Sequence, residues 1–384
     1  MALRIFVSSS CIATVYMAIY AAETWEEGFT DWLMVDALPL RPSQQKLINQ
    51  AATLHDFARV FDFSSEKSEA ASPVPSLSKR LTRMLKTKPV FKQVYDFLYG
   101  FKMKGEEKAL REKILETTRL NPGIYEEVSL HMQPVLHLNK SLFSIFPEGK
   151  VHYFEHGLGD YLDISSRIKE GEKFHCIFPH TFRSFLSAKS EESQFVVPTF
   201  TGKGFHHVAL QFERAFPQIK LARPVPDAAI ALILTQSFEE YGVDNAFWPY
   251  FLDLCLAKIP DPTALQFIIK PHPRQSREVL TLIESYFEEK GLQYQLFDVP
   301  EVRSLSVEIL FQSWKDHVKW VFSPFSSSVF YLAELYPGLG ANYHYAMKGL
   351  DTFSKNSPDF YRKRWQETSV YIREVFGKEL EELG

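Results

Sequence analysis

Three short segments carry the side chains best suited to chemistry: Glu155-His156-Gly157, Lys270-Pro271-His272-Pro273-Arg274 and Ser326-Ser327-Ser328. They supply, in that order, a carboxylate, an imidazole, and hydroxyls with backbone amides. Glu155 is a candidate general base, since a carboxylate can take the proton from an attacking hydroxyl. The turn that follows it holds Gly157 and Gly159, which let the backbone approach a ligand closely. A loop glutamate that caps a helix is the plainer reading of Glu155, and His156 and Asp160 are rivals for the base. His272 is stiffened by prolines on both sides, which would aim its ring at a departing phosphate oxygen. Lys270 and Arg274 add positive potential for that anion. The plain alternative is a surface histidine in a proline-rich turn. Ser326 to Ser328 open a helix, where exposed N–H groups and the helix dipole favour an anion. A serine there is equally an ordinary N-cap, and the two roles are compatible.

Each segment follows a run that reads as a β-strand. Strands are expected at Arg4–Ser8, Asp31–Asp36, Glu127–His131 and Val151–Glu155, with helices at Ile12–Glu23, Ser43–Leu54 and Pro134–Phe146 between them. A second alternating block has strands at Ala228–Thr235, Ala264–Lys270, Gln293–Phe297 and Lys319–Phe322. Its helices are Asn245–Lys258, Ser276–Lys290, Ser306–Trp314 and Ser327–Leu335. Alternation of this kind predicts parallel sheets flanked by helices. The domains are expected at residues 1–220 and 221–355, with helices at 356–384 that cross back onto the first. Open α/β sheets bind ligands at the carboxyl ends of their strands. Gln236 and Ser237, after the Ala228–Thr235 strand, therefore join the candidate donor site. Glu308, at a helix start, could accept hydrogen bonds from a ribose; a favourable dipole interaction is the bland account. Ser9 and Ser10 should line the opposite wall.

Between the blocks the chain departs from this rhythm. Ser64–Ser78 holds six Ser and two Pro and reads as a loop. Lys79–Leu120 has a helical pattern, with 12 Lys or Arg against five Asp or Glu. It reads either as a solvated helical hairpin or, through residues such as Lys79, Arg80 and Arg83, as a surface for an anionic polymer or membrane face. Residues 163–223 read as irregular and cationic. The whole chain carries a formal charge of −4 and the basic stretch lacks a nucleic-acid motif, so no nucleic-acid partner is expected. Three dispersed cysteines with no CxxC pair argue against both a disulfide framework and a structural zinc site, which favours the cytosol. The apolar run Cys11–Ala22 is about 12 residues long, against about 20 for a bilayer span. Its length suits a signal peptide, but strand, turn and helix is the better reading. With 33 Phe and 17 Tyr, well-filled cores are expected.

The order of the three motifs resembles bacterial sialyltransferases of the two-domain GT-B type, above all the capsular polysialyltransferases, with lipooligosaccharide sialyltransferases as relatives. Those proteins share an acidic-residue-plus-glycine motif, a His-Pro motif and a serine-rich motif, here over residues 125–335. His156 stands where a second acid is commoner. The resemblance implies an α/β fold of two Rossmann-like domains facing across a cleft and inverting transfer from CMP-sialic acid. Glu155 and His272 would be catalytic. The donor would meet Gln236, Ser237, Lys270, Pro273, Arg274, Glu308 and Ser326 to Ser328. The acceptor, an anionic glycan ending in sialic acid, would meet Ser9, Ser10, His156, Gly157, Lys79, Arg80 and Arg83. No cofactor or metal is implied, and the location would be the cytoplasm, with peripheral attachment to the membrane's inner face as an option. Two alternatives stay open: a transferase that uses CMP-Kdo or a UDP-sugar, and a non-catalytic glycan-binding protein on the same scaffold.

Overall fold

A computed structural model describes residues 2–24, 27–36, 42–63, 105, 107–134, 137–155, 172–175, 195–196, 202–217, 229–238, 241–336, 339–355, 357–359, 362–363, 365–366 and 381–383. Contacts divide the chain into two units. One comprises Met1–His156, Arg167–His175 and Ser193–Val196, and the other comprises Gly157–Ser166, Cys176–Glu192 and Val197–Gly384.

The first unit is built on seven parallel strands: β1 (Ala2–Ser8), β2 (Phe29–Val35), β3 (Arg59–Asp62), β4 (Glu127–Met132), β5 (Lys150–Phe154), β6 (Lys173–His175) and β7 (Phe195–Val196). Their spatial order is β3-β2-β1-β4-β5-β6-β7. The chain begins at the middle of the sheet, grows to one edge, then returns to grow the other way. Right-handed crossovers then place helices on opposite faces on the two sides of that reversal. The central strand β1 is buried over six of its seven residues, as a strand covered on both faces must be. The helix Cys11–Glu23 starts at Ser10, whose side chain accepts the Ala13 N–H at 3.3 Å. Its last turn is tied down by Arg4, whose guanidinium donates to the Ala21 and Thr24 carbonyls at 3.4 and 3.0 Å. Arg4 also makes a two-pronged pair with Asp31 on β2, both contacts at 2.6 Å. Burial opposes ionisation of Asp31, but hydrogen bonds from His55 and Arg4 outweigh it and hold the carboxyl below its usual range.

Three histidines on neighbouring strands form a stack in this core. His131 on β4 and His152 on β5 are cross-strand partners, and His152 Nδ1 lies 3.0 Å from His175 Nε2 on β6. Phe6 stacks on His131 at 4.5 Å and Phe154 on His175 at 4.5 Å, with Tyr20 packed among them. The rings lie over one another rather than converging, and among the described residues no group of three His, Cys, Asp or Glu is placed to hold a metal. Burial, seconded by Lys173 or by the other rings, pushes His152 down to about 4 and His175 to about 3, while His131 falls well below 6.5. Arg4 and Lys150 add to the positive surroundings of His152. Folded pKa values below the unfolded one mean that the unfolded chain binds more protons. The stabilisation is therefore complete above about pH 6.5 and is lost as pH falls toward 4, at roughly 1.4 kcal/mol per histidine per pH unit. Urea unfolding at pH 7.5, 6.5 and 5.5 should show a falling midpoint, and His175→Phe should flatten the trend. A midpoint independent of pH would contradict the account.

The second unit repeats the scheme with six parallel strands: β8 (Ala229–Leu234), β9 (Leu265–Lys270), β10 (Tyr294–Leu296), β11 (Val318–Ser323), β12 (Asn342–Tyr345) and β13 (Glu381–Glu382). Their order, β10-β9-β8-β11-β12-β13, is again outward from the first strand on one side and then outward on the other. The two halves share a topology without a visible sequence repeat. Helix Phe247–Lys258 carries the main aromatic cluster, in which Phe247 packs on Phe238, Trp248 and Phe251. Helix Arg277–Glu289 starts at the Ser276 cap and stops at Gly291, whose φ of 64° is a left-handed conformation that glycine adopts without strain.

Several elements differ from the sequence reading. β3, β6, β7, β12 and β13 have no counterpart in the sequence reading: they span two to four residues, too short for alternation to register, three of the four β3 residues are exposed, and β13 is a strand where the helices at 356–384 are expected. Helix Gly202–Ala215 occupies part of the segment read as irregular, where Gly202 and Gly204 mask its pattern. It belongs to the second unit, ahead of the junction drawn at residue 220. The expected helix Ser306–Trp314 is instead a short helix Val307–Leu310 and a 3-10 turn Phe311–Ser313, preceded by helix Pro300–Ser304. Residues 107–118 are helical, as read for the second half of the basic stretch. The Ser64–Ser78 loop, the first half of that stretch and most of the carboxyl-terminal segment fall outside the described residues.

Candidate functional site

In the second sheet the direction of growth reverses between β8 and β11, and this is where such sheets open a crevice at their carboxyl ends. Thr235 to Phe238 leave β8 there and Ser323 to Ser328 leave β11. The Lys-Pro-His-Pro-Arg turn leaves β9, which is the next strand out from β8. Three of the sequence candidates for the donor are thus neighbours by topology.

His272 is held at every polar atom but one. Its backbone N–H donates to Thr235 Oγ1 at 2.9 Å. Its carbonyl accepts the Gln275 N–H at 3.0 Å and Arg303 Nε at 3.3 Å. Its Nδ1 accepts the Arg274 N–H at 3.2 Å. A ring nitrogen that accepts an N–H must present its lone pair, so the proton of the neutral ring sits on Nε2. Among the described residues no group meets Nε2. Burial pushes the imidazole down to about 3, with Arg274, Lys270 and Arg303 acting in the same direction, so the ring is neutral at physiological pH. The turn therefore presents a neutral N–H donor held in one orientation.

Lys270 is buried, and its Nζ donates to the carbonyls of Pro271 at 3.1 Å and Arg303 at 2.8 Å. Burial pushes it down to about 7, opposed by the Glu308 carboxylate and reinforced by Arg303. Through these two bonds its amino group ties the turn to the helix that carries Arg303. Arg274 is exposed and one of its terminal nitrogens donates to Tyr241 Oη at 3.3 Å; its carbonyl accepts from the buried Ser237 hydroxyl at 3.4 Å. Gln236 and Pro273 are half-buried beside them. Ser326 is the N-cap of helix Ser327–Leu335: its Oγ accepts the Ser328 N–H at 3.3 Å, while its own N–H donates to Ser323 Oγ at 2.9 Å. Ser326, Ser327 and Ser328 are all half-exposed. Glu308 is buried at the first turn of its short helix, with the Ser306 hydroxyl donating to its carboxylate.

In the first sheet the reversal falls between β1 and β4. Ser9 leaves β1, and both its N–H and its Oγ donate to Gln133 Oε1, at 2.8 and 2.6 Å. Ser10 is spent on the helix cap described above. Gln133 is buried at the end of β4, and its carbonyl accepts from the Asn139 side chain at 2.7 Å. Glu155 follows β5, one strand further out. It is fully buried, and its N–H donates to the His175 carbonyl at 3.1 Å, which extends the sheet by one residue. His156, Gly157, Lys79, Arg80 and Arg83 lie outside the described residues.

Sequence reasoning missed Arg303 and Gln133. Arg303 lies 31 residues beyond His272 and no local pattern marks it. Gln133 directly follows a strand, so the strand-end rule that found Glu155 could also have found it.

Three solved structures are similar to this chain. UDP-GlcNAc 2-epimerase from Neisseria meningitidis is 14% identical, with a TM-score of 0.51 over 89% of this chain and 81% of that one. The GT-B domain of a Photobacterium damselae sialyltransferase is 7% identical, with a TM-score of 0.43 and 100% of both chains covered. E. coli heptosyltransferase WaaC is 13% identical, with a TM-score of 0.39 over 90% of this chain and 88% of that one. No curated protein sequence matches the chain. Two Rossmann-like sheets make this an α/β protein of the GT-B class. The sequence model of the alpha-2,8-polysialyltransferase family matches residues 101–343, more than half of the chain. The chain belongs to that family and is a glycosyltransferase. No helix among the described residues is long and apolar enough to cross a membrane.

Proposed function

We propose that the protein transfers sialic acid with inversion from CMP-sialic acid to a glycan that ends in sialic acid. The observation that carries this reading is His272: a neutral Nε2–H donor, locked on three sides, at the carboxyl edge of the second sheet. A leaving phosphate gains more from such a donor as its negative charge develops, so the interaction is strongest in the transition state. At the start of a nine-residue helix, the Ser327 N–H and the hydroxyls of Ser327 and Ser328 add donors for the same anion, the Ser328 N–H being taken up by the Ser326 cap. Glu308 would take the ribose hydroxyls and Gln236 and Ser237 the rest of the nucleotide. Glu155 would take the acceptor's proton as its oxygen attacks C2 of the sugar. CMP departs as that bond forms, taking the electron pair of the broken C–O bond. Family membership supports a sialyl donor over other sugars.

The reading needs no metal or other cofactor. The cationic stretch around Lys79, Arg80 and Arg83 would follow an acceptor that carries one carboxylate per sugar, and the same charges would favour an anionic membrane face. Donor turnover decides the first point. Purified enzyme with an oligosialic acceptor should consume CMP-sialic acid, with CMP-Kdo and UDP-sugars at least about 10⁴-fold slower, the scale on which a site built to hydrogen-bond a substrate's polar groups rejects analogues that lack them. Robust turnover with a UDP-sugar alone would refute the sialyl assignment.

A further inference from the structure

We infer that Arg303 is a positioning residue for the reaction: it fixes the orientation and tautomer of His272 by clasping the backbone of the turn that carries it. The inference rests on the role proposed for His272. Arg303 sits in helix Pro300–Ser304, and its side chain is only 15% exposed. Its Nε donates to the His272 carbonyl at 3.3 Å, and a terminal nitrogen donates to the Gln275 carbonyl. The other terminal nitrogen pairs with Asp298 at 2.8 Å, which orients the guanidinium plane. The clasp is reciprocal, because the Arg303 carbonyl accepts from Lys270 Nζ at 2.8 Å. The turn from Lys270 to Gln275 is thus tied to one short helix at three points.

The consequence for the ring follows from the turn's own geometry. The tautomer depends on the Arg274 N–H meeting His272 Nδ1 at 3.2 Å. That contact spans two residues and holds only while the intervening backbone keeps its shape. Arg303 grips the carbonyl of His272 and, beyond it, the carbonyl of Gln275, so it brackets the two residues whose relative placement sets the contact. A planar guanidinium can reach two carbonyls and a carboxylate at once; an ammonium on a flexible stem cannot hold the same set. Released from the clasp, the turn would let the ring rotate and the proton distribute between Nδ1 and Nε2, and the donor would no longer point one way.

Two variants and one spectroscopic signal test this. Full-length protein labelled with 15N in its histidine rings reports each tautomer, and the difference from His272→Gln assigns the signal. Wild type should show the proton on Nε2. Arg303→Met should show fast exchange between tautomers, with kcat lowered about 10- to 100-fold and donor KM little changed. Arg303→Lys, which keeps the charge, should restore at most a small part of kcat, and it supplies the same reading if Arg303→Met does not fold. A wild-type ring protonated on Nδ1, or variants with unaltered tautomer and kcat, would overturn the inference. The tautomer is measured without substrate, so it stands or falls separately from the identity of the sugar donor.

Discussion

Glu155→Gln is expected to lower kcat for sialyl transfer by about 10²- to 10⁴-fold, the range that positioned proton transfer contributes. Glutamine keeps the volume of the side chain but cannot take a proton from the acceptor hydroxyl. Glu155 is fully buried, and its N–H donates to the His175 carbonyl at 3.1 Å, so its backbone is anchored to the sheet. The donor KM should change little, because the residue belongs to the first unit while the donor candidates all belong to the second. Initial rates with labelled CMP-sialic acid, alongside thermal unfolding to confirm the fold, are sufficient. If the variant keeps more than a tenth of wild-type activity, Glu155 is not the base and His156 and Asp160 become the residues to replace.

His272→Asn should cost a similar factor, about 10²- to 10³-fold in kcat, the scale of removing one donor from a developing anion. The pH dependence makes this a sharper test than the magnitude. Burial holds the ring's pKa at about 3, so it is neutral throughout the working range and has no proton to lose between pH 5 and 8. A neutral donor acts by its hydrogen bond and does not titrate there. The kcat/KM profiles of wild type and His272→Asn should therefore be parallel from pH 5 to 8, displaced by a constant factor. A wild-type limb near pH 6.5 that disappears in the variant would show that His272 works as a charged acid, and the bracing by Arg303 would then need another purpose.

The strand ends that carry these residues were legible because buried parallel strands are written as unbroken apolar runs. Ala-Ile-Ala-Leu-Ile-Leu of β8 and Phe-Ile-Ile of β9 can be little else, and the polar residues that follow must lie at the sheet's carboxyl edge. Ser276 and Gly291 marked the limits of a helix by the same local logic, a cap and a left-handed stop. Short edge strands escaped notice. Lys173-Phe174-His175 is stabilised by pairing with β5 and by the stack of His175 on Phe154, interactions that involve residues about 20 positions earlier. Helix Gly202–Ala215 was hidden because two glycines near its start weaken the local signal that tertiary packing overrides.

What the sequence determined by itself is the alternation of strand and helix, and with it the positions of Glu155, His272 and the serine run at strand ends. Those follow from local patterns of apolar and polar residues. The tertiary structure alone decided which strands are neighbours. The order β10-β9-β8-β11-β12-β13 puts the turn after β9 and the serines after β11 on either side of β8, a placement set by pairing across the sheet rather than by position along the chain. It also decided the state of His272. Arg274 shares the turn with His272, but Thr235 and Arg303 come from two other elements, and the hydrogen bonds by which they hold that turn exist only once those elements are packed.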